Sequence, residues 1–488
     1  MNGNYDSSKR VFALRRKSNS FNSKSAKFTS VLLILVLFTI SILLFFFEPF
    51  SLDHSVDFHY FDRQRIISLK AILENMAPNF NDSNAKAGSI LASPSRRDPD
   101  YYYHWIRDGS VVMRSLLDEP SIEPAQIKSL FSNFADLSLK HQANSRGNLG
   151  EPKFMVDGSV FTGPWGRPQN DGPALRVLAF AAYIKQYGLD SVSSGWYRAE
   201  YPSNSLIKAD LEFIVNQWYN QCFDLWEEVR ATHFYTRITQ QAALQAGVEI
   251  AILFNDPKAA QYYAQIASTI EKEMSKFWDE SNNFLHYAID IAPDQVHGKY
   301  SNLDTSVILG CLHAHDFRDP HYDCTSDFTM STVLKIVDSF SSLYPISSGS
   351  KYPLLGRYPE DVYDGVGMSI GNPWILTTHA FAEYLYTIAA EIKSQKQYNV
   401  TEAGLDFFNK IVPGVLNKAG PLYEDKNYLI GNLTLVGDGY MFHVYKYAKN
   451  GAFSEQINRN TGQLQGARQL TWSHSSFLTA LQVRSSLY

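Results

Sequence analysis

Residues 256–277 read DPKAAQYYAQIASTIEKEMSKF, and this stretch decides the fold class. It opens with Asp256, a favourable N-cap, and with Pro257, which suits the first helical position because its missing N–H would have no partner there. Its apolar residues then recur every three or four positions, as one face of a helix requires: Tyr262, Ile266, Ile270, Met274 and Phe277. The stretch therefore predicts an amphipathic α-helix.

The same helical spacing recurs at other points of the chain. One run contains Ile207, Leu211, Ile214, Val215 and Trp218, and another contains Phe381, Leu385, Ile388 and Ile392. Few segments alternate as strands do, and no strand–helix–strand rhythm is visible. The predicted fold class is all-α, with long loops between the helices.

The amino-acid composition indicates a globular protein and argues against a nucleic-acid partner. The chain has 488 residues, 45% hydrophobic and 19% charged, which is typical of a globular protein with an ample core. Aromatic residues make up 14% of the chain, and such rings stack on the apolar C–H faces of sugars. The net charge of -5 argues against a nucleic-acid partner, because phosphate binding needs a basic surface.

The N-terminal 59 residues differ from the rest. Residues 1–28 are rich in Lys and Arg, and they predict a basic cytoplasmic tail. Residues 29–48 form an apolar run that can just span a bilayer and that ends without a small-residue cleavage site, which predicts a transmembrane signal anchor. Residues 49–59 would form a short stem, and residues 60–488 the catalytic domain.

This arrangement predicts a single-pass type II membrane protein of the secretory pathway. Its catalytic domain would lie in the lumen or outside the cell, with the vacuole or the cell surface as destinations. The alternatives are a signal peptide that is cleaved, which would give a secreted protein, and a buried soluble helix. We expect a monomer.

Two minor features depend on that topology. N-glycosylation acceptor sequences begin at Asn81, Asn399 and Asn432, and they matter only if the chain enters the secretory pathway. The chain has three cysteines, so at most one disulfide can form within it. Cys311 and Cys324 enclose three histidines, but the spacing matches no common zinc pattern, so we expect a loop with an optional disulfide and no metal site.

The strongest chemical signal is a pair of distant acidic segments. Trp226, Glu227 and Glu228 are consecutive, and Glu455 follows more than two hundred residues later. Two carboxylates among aromatic residues are typical of glycoside hydrolysis, in which one protonates the glycosidic oxygen while the other activates water or attacks the sugar. The alternative interpretation of the first segment is an ordinary helix start, because acids there favour the helix dipole.

Longer motifs identify the chain more closely. Over residues 60–488 they resemble the fungal glucoamylases, which are inverting, exo-acting glucan 1,4-α-glucosidases, and within that family the yeast-type enzymes, including the sporulation-associated one. The motifs occur in the family's order: YYYHWIRD (101–108), GEPKFMVDG (150–158), WGRPQNDGPALR (165–176), FDLWEEV (223–229), GRYPEDVYDG (356–365), GNPW (371–374), SEQ (454–456) and LTWSHSSFLTA (470–480).

The resemblance implies an (α/α)6 barrel of six inner and six outer helices, with the active site in the loops at one end. It also implies that Glu227 is the general acid and that Glu455 is the general base. Arg107 and Asp108 would bind the hydroxyls of the terminal glucose. The other positions carried over are Tyr101 beside the reacting sugar, Trp165 on the next sugar, Glu228, Arg357 and Asp361 on the leaving side, and Trp226, Trp374 and Trp472 in the aromatic lining.

The expected function is hydrolysis of terminal α-1,4-linked glucose from starch, glycogen or maltooligosaccharides, without a cofactor or metal. The chain ends about ten residues after the last motif, so we expect no starch-binding domain, and a soluble dextrin or glycogen as substrate. Two alternatives are a trehalase or another (α/α)6 hydrolase, and a membrane-tethered glucan-binding protein without activity. The alternative, purely structural interpretation of the site residues is that Arg107 and Asp108 form an ion pair and that Trp374 belongs to the core.

Overall fold

The computed structural model describes residues 59–145, 147–295, 298–317, 321–423 and 425–488. These residues belong to one unit, Ser55–Tyr488. Within them the chain forms thirteen α-helices. They are α1 (His59–Glu74), α2 (Ile106–Ser115), α3 (Pro124–Asn144), α4 (Asp171–Tyr187), α5 (Leu206–Gln217), α6 (Phe234–Leu253), α7 (Pro257–Met274), α8 (Ser306–Ala314), α9 (Asp327–Phe340), α10 (Ile375–Ser394), α11 (Glu402–Ile411), α12 (Lys426–Tyr447) and α13 (Thr471–Ser485).

Six helices close an inner ring. Helices α2, α4, α6, α8, α10 and α13 contact one another in that order, and α13 returns to contact α2. Most of their residues are buried on every side, as in Ile375–Ser394, where small and large apolar residues alternate with Thr and His. These helices are buried on all sides, polar residues included, so the inner ring is the core of the barrel.

The outer helices alternate with the inner ones along the chain. They are α1, α3, α5, α7, α9 and α12, and α11 is an additional helix that packs on α9. This architecture is the (α/α)6 barrel that the resemblance implied, so that expectation is confirmed. Outer helix α7 is amphipathic as predicted, and the Asp256 carboxylate accepts a hydrogen bond from the Ala259 N–H at 3.3 Å as its N-cap.

The predicted faces are mostly correct. Phe381, Leu385, Ile388 and Ile392 are fully buried. In α7, however, Tyr262 is 49% exposed, and the buried stripe consists of Ala260, Tyr263, Ala267, Ile270 and Met274. Tyr263 takes the buried position in place of Tyr262 and packs against Gly247 of α6, where an added Cβ would lie 3.3 Å from its ring.

Eleven short strands brace the loops in the described part of the chain. They are β1 (His104–Trp105), β2 (Lys153–Phe154), β3 (Cys222–Phe223), β4 (Arg230–His233), β5 (Trp278–Asp279), β6 (Phe284–Leu285), β7 (Ala288–Ile289), β8 (Tyr398–Val400), β9 (Gly420–Leu422), β10 (Gln456–Ile457) and β11 (Leu464–Gln465). They pair antiparallel as β1–β2, β3–β4–β7, β5–β6, β8–β9 and β10–β11. Three of these pairings flank predicted site residues.

The loops that precede five of the six inner helices, α2, α4, α6, α10 and α13, line one cavity. The N-termini of these five helices therefore face that cavity. A helix N-terminus carries a partial positive charge that favours carboxylates nearby. The fold thus directs positive helix ends toward the part of the molecule where the sequence places its acids.

The predicted tail, anchor and most of the stem, residues 1–58, lie outside the described residues. Among the helices that are described, none has the length and apolar character needed to cross a membrane. The anchor therefore stays a prediction from sequence.

All three cysteines have free thiols and are buried. Burial raises the pKa of the Cys324 thiol, and a hydrogen bond with Cys311 raises it further. The two sulfurs are thus neighbours without a disulfide between them. Of the three predicted glycosylation sites, Asn81 and Asn399 are exposed. Asn432 is only 6% exposed and donates to the Tyr428 carbonyl at 2.8 Å inside α12, so the folded protein has no space for a glycan there.

Candidate active site

The cavity at the loop end has a volume of about 290 Å³, close to the lower end of the range for small-molecule sites. Eleven of the twelve residues that the resemblance nominated line it, and only Asp361 does not. The eleven are Tyr101, Arg107, Asp108, Trp165, Trp226, Glu227, Glu228, Arg357, Trp374, Glu455 and Trp472. The structure thus brings together residues from five separate loops.

Glu227 lies at the tip of the loop between β3 and β4. The Asp224 carbonyl accepts its N–H at 2.9 Å, and the Asp224 carboxylate accepts the next two backbone N–H groups at 2.7 and 2.9 Å. The φ angle of Glu227 is +69°, which is uncommon for a residue with a side chain. The acidic segment is therefore a tight loop and not the helix start of the alternative interpretation.

The Glu227 carboxylate is held by donors from two other loops. Its Oε1 accepts from Trp105 Nε1 at 2.7 Å and from Gln169 Nε2 at 2.9 Å, and the Arg107 guanidinium lies 3.6 Å away. The aromatic wall beside it surrounds the Lys153 ammonium, which lies 3.6 Å from the Trp165 ring centre. These contacts fix the direction of the carboxylate.

Glu455 is fully buried, at the N-terminal side of β10. Its Oε1 accepts from the Tyr101 hydroxyl at 3.0 Å, and its Oε2 accepts from the Tyr363 hydroxyl at 3.5 Å and the Ala467 N–H at 3.4 Å. Burial raises the pKa of Glu455 to about 7, although these three donors and the Arg357 charge lower it. A general base is most effective with a pKa near the working pH.

Arg107 and Asp108 begin inner helix α2 and form the buried end of the cavity. Arg107 has its tight ion pair with Asp171, at 2.7 Å, whereas its nearest distance to Asp108 is 3.9 Å. Arg107 and Asp108 therefore do form an ion pair, as the structural interpretation had it, but it is looser than the pair between Arg107 and Asp171. Burial raises the pKa of Asp108 to about 6, against the lowering effect of Arg107. Both residues line the cavity.

A second ionic cluster lies around Glu228. Arg357 binds Asp361 through two hydrogen bonds of 2.8 and 2.6 Å and lies 2.7 Å from Glu228. The Tyr358 hydroxyl donates to Glu228 at 2.8 Å. Asp361 does not line the cavity, and its carboxylate holds the Arg357 guanidinium, which does.

Aromatic rings complete the lining. Trp226 and Trp374 have ring centres 5.5 Å apart, and the Arg357 guanidinium lies 5.4 Å from the Trp374 ring. Trp374 is buried, yet it lines the cavity, so it is more than plain core. The Trp226 indole N–H donates to Asp304 at 2.9 Å, which fixes that ring.

Several residues of the site were not predicted from the sequence. Trp105, Gln169 and Tyr363 contact the two acids directly, and each lies inside a motif already quoted, so the motif could have drawn attention to it. Lys299 had no such signal. Its buried ammonium binds Asp224 at 3.1 Å and Asp304 at 2.8 Å, which ties the Glu227 loop to the start of α8.

The family follows from a comparison of sequences. A sequence model of the glycosyl hydrolases family 15 matches residues 67–482. The chain belongs to this family. It is therefore a glycoside hydrolase, as the sequence predicted.

Curated relatives and a solved structure from glycosyl hydrolases family 15 are similar to this chain over most of its length. A glucoamylase of Blastobotrys adeninivorans is 36% identical over 434 residues, covering 84% of this chain and 69% of that protein. The intracellular sporulation-specific glucoamylase of Saccharomyces cerevisiae is 32% identical over 483 residues, covering 89% and 85%. The solved structure of the Saccharomycopsis fibuligera glucoamylase has a TM-score of 0.79 and 30% identity, covering 90% of this chain and 98% of that one.

These relatives confirm the predicted glucoamylase interpretation, namely hydrolysis of α-1,4-glucan from chain ends with release of glucose. They do not favour a trehalase or an inactive binding protein. The roles of individual residues are a separate question, which the geometry addresses.

Proposed function

We propose that Glu227 and Glu455 carry the hydrolysis of the terminal α-1,4-glucosidic bond as general acid and general base, with inversion. The observation that supports this assignment is the position of the two carboxylates on the wall of one aromatic-lined cavity, each held by donors from other loops. Aromatic rings and a few fixed polar groups are what a sugar site needs.

The buried end of the cavity supports action at chain ends. Arg107 is 4% and Asp108 8% exposed, so a glucan chain has no exit beyond them. Arg107 and Asp108 nevertheless line the cavity, so their polar groups are available to sugar hydroxyls there. We infer that the non-reducing terminal glucose is bound there.

In the proposed acid step, protonated Glu227 donates its proton to the glycosidic oxygen as the bond to the anomeric carbon breaks. The carboxylate that results is stabilised by the Trp105 and Gln169 N–H donors and by the nearby Arg107 charge. These groups are in place before the reaction, so they stabilise the developing charge without reorganisation.

In the proposed base step, ionised Glu455 removes a proton from a water that attacks the anomeric carbon from the other side. The Tyr101 and Tyr363 hydroxyls and the Ala467 N–H favour the ionised form, and they direct the carboxylate oxygens. Attack by water opposite the leaving group inverts the configuration and releases β-glucose.

The test is a pair of amide variants, Glu227→Gln and Glu455→Gln, assayed for glucose release from maltotriose. Each is expected to reduce kcat by about a hundredfold or more, the usual contribution of one general acid or base. The volume is unchanged, so thermal unfolding serves as the control for folding. A folded variant that retains wild-type turnover would remove its residue from the mechanism. Proton NMR of the first product distinguishes inversion (β-glucose) from retention (α-glucose).

We also propose that residues 29–48 anchor the enzyme in a membrane, with the barrel in the lumen or outside the cell as a monomer. The basic residues before the apolar run support this topology. The exposure of Asn81 and Asn399 is compatible with glycosylation. The test is endoglycosidase digestion and carbonate extraction of the full chain. An unglycosylated product released into the supernatant would refute the topology and leave the enzymology unchanged.

A further inference from the structure

Four exposed apolar side chains lie within nine residues of one loop, and one of them, Met368, lines the catalytic cavity. Val362, Val366, Met368 and Ile370 are 47%, 59%, 71% and 50% exposed. We call residues 362–370 the mouth loop. Isolated exposed apolar residues need no explanation, but a cluster beside a binding cavity marks a contact surface.

The mouth loop has a defined conformation. The Asp364 carboxylate accepts the Val366 and Gly367 N–H groups at 3.0 and 2.7 Å and the Ser369 hydroxyl at 2.5 Å. At its C-terminal side the Gly371 N–H donates to the Asp361 carbonyl at 2.7 Å. The apolar side chains are therefore held outward by the loop's own hydrogen bonds.

The mouth loop is continuous with the catalytic cavity. Met368 is 71% exposed and still lines that cavity, whose other end is closed by Arg107 and Asp108. If the terminal glucose occupies the closed end, the group attached to its anomeric oxygen must project toward the mouth. Part of the leaving group then passes over Met368.

The four apolar side chains of the mouth loop differ in chemistry from the cavity wall, which includes Tyr363 of the same loop. The wall offers aromatic rings, carboxylates and guanidinium groups, which suit sugar rings and hydroxyls. Val, Met and Ile side chains offer no hydrogen bond and no flat ring. They match a flexible hydrocarbon chain better than a second or third glucose.

We propose that this enzyme also hydrolyses α-glucosides whose leaving group is an alkyl chain, with the mouth loop binding that chain. The inference rests on the proposed function, because it uses the same acids. Water adds its oxygen to the anomeric carbon and gives a proton to Glu455. The bond from the anomeric carbon to the alkoxy oxygen breaks, and that oxygen takes a proton from Glu227 and leaves as the alcohol.

The test is a series of alkyl α-glucosides from butyl to octyl, below their micelle-forming concentrations. A fully buried methylene contributes about a fourfold gain in binding, so one that is half covered by the loop contributes about twofold. We expect kcat/KM to rise about 15-fold over the four added methylenes. The double variant Val366→Ser with Met368→Ser should bring the octyl-to-butyl ratio close to one.

Ile252→Ser is the matched control, because Ile252 is 63% exposed and does not line the cavity. Its octyl-to-butyl ratio should equal that of the wild type. Maltotriose assayed with the wild type separates the two proposals: no glucose release contradicts the proposed function, whereas release with a flat alkyl series overturns only this inference. An octyl-to-butyl ratio that the double variant leaves unchanged also overturns the inference. A flat alkyl series together with an altered oligomeric state in the double variant overturns it too, and would assign the mouth loop to an interface between copies of the chain.

Discussion

Replacing Gly466 by alanine should displace Glu455 without unfolding the enzyme. A Cβ added at Gly466 would lie 2.3 Å from Glu455 Oε2 and 3.1 Å from its Cβ. The Gly466 backbone is also packed closely against Gly365, where an added Cβ would lie 2.7 Å from Gly466 Cα. The Glu455 N–H also donates to the Ala467 carbonyl at 2.8 Å, which holds the two segments together. The Glu455 side chain must therefore move.

The size of the effect follows from these distances. Ordinary contact begins at about 3.4 Å, so a 2.3 Å approach requires the carboxylate to move by about 1 Å. A misplacement of about 1 Å in a catalytic group costs roughly a hundredfold in rate. The left-handed backbone, with φ at +73°, adds about 1–2 kcal/mol of destabilisation for alanine. This is a minor part of the roughly 5–15 kcal/mol by which a native protein is stable.

The assay is glucose release from maltotriose together with thermal unfolding. Gly349→Ala is the matched control, because Gly349 has φ at +72° and an added Cβ there meets nothing within 4 Å. Both variants should unfold at a similarly lowered temperature, and only Gly466→Ala should lose turnover. Equal turnover in the two variants, or a loss of activity that follows unfolding alone, would refute the reasoning.

Two further substitutions test the polar groups around the acids. Tyr101→Phe removes a hydrogen bond that lowers the pKa of Glu455, so that pKa should rise. Because the base acts when ionised and is lost as pH falls through its pKa, the acid limb of the kcat/KM profile should move to higher pH. An unmoved limb would contradict the assignment of Glu455. Arg357→Met leaves the carboxylates of Glu228 and Asp361 without their shared cation. Chemical denaturation should therefore show that the free energy of unfolding falls by about 3–5 kcal/mol. A fall below about 1 kcal/mol would mean that neither acid needs the guanidinium.

Much of the fold and site could be predicted because the relevant information is local. Helical spacing identified the buried faces of α5 and α10, and the long motifs placed eleven of the twelve nominated residues on one cavity. Asp361 is the exception, because its spacing to Arg357 gave proximity but not which of the two side chains reaches the surface. Tyr262 shows the limit of counting large apolar residues when alanines form part of the stripe.

The remaining features depend on contacts between distant loops. Lys299 lies in an unremarkable stretch, and only the fold places its ammonium between Asp224 and Asp304. Asn432 satisfies the acceptor pattern, yet it lies inside α12 with its side chain buried. A local pattern carries no information on such burial, because burial is decided by which helix packs on the other side.

The conformation of Glu227 links the fold to its proposed role. A non-glycine residue at φ +69° costs about 1–3 kcal/mol, and it persists only where the surroundings determine it. Here they do, because Asp224 caps the loop from within and Lys299 binds Asp224 from outside. Lys299 itself is fixed by Asp304, next to the N-terminus of α8, so the loop is anchored to the inner barrel. The strain directs the carboxylate toward Trp105 and Gln169, and we infer that it is retained because a relaxed loop would direct the acid away from the glycosidic oxygen.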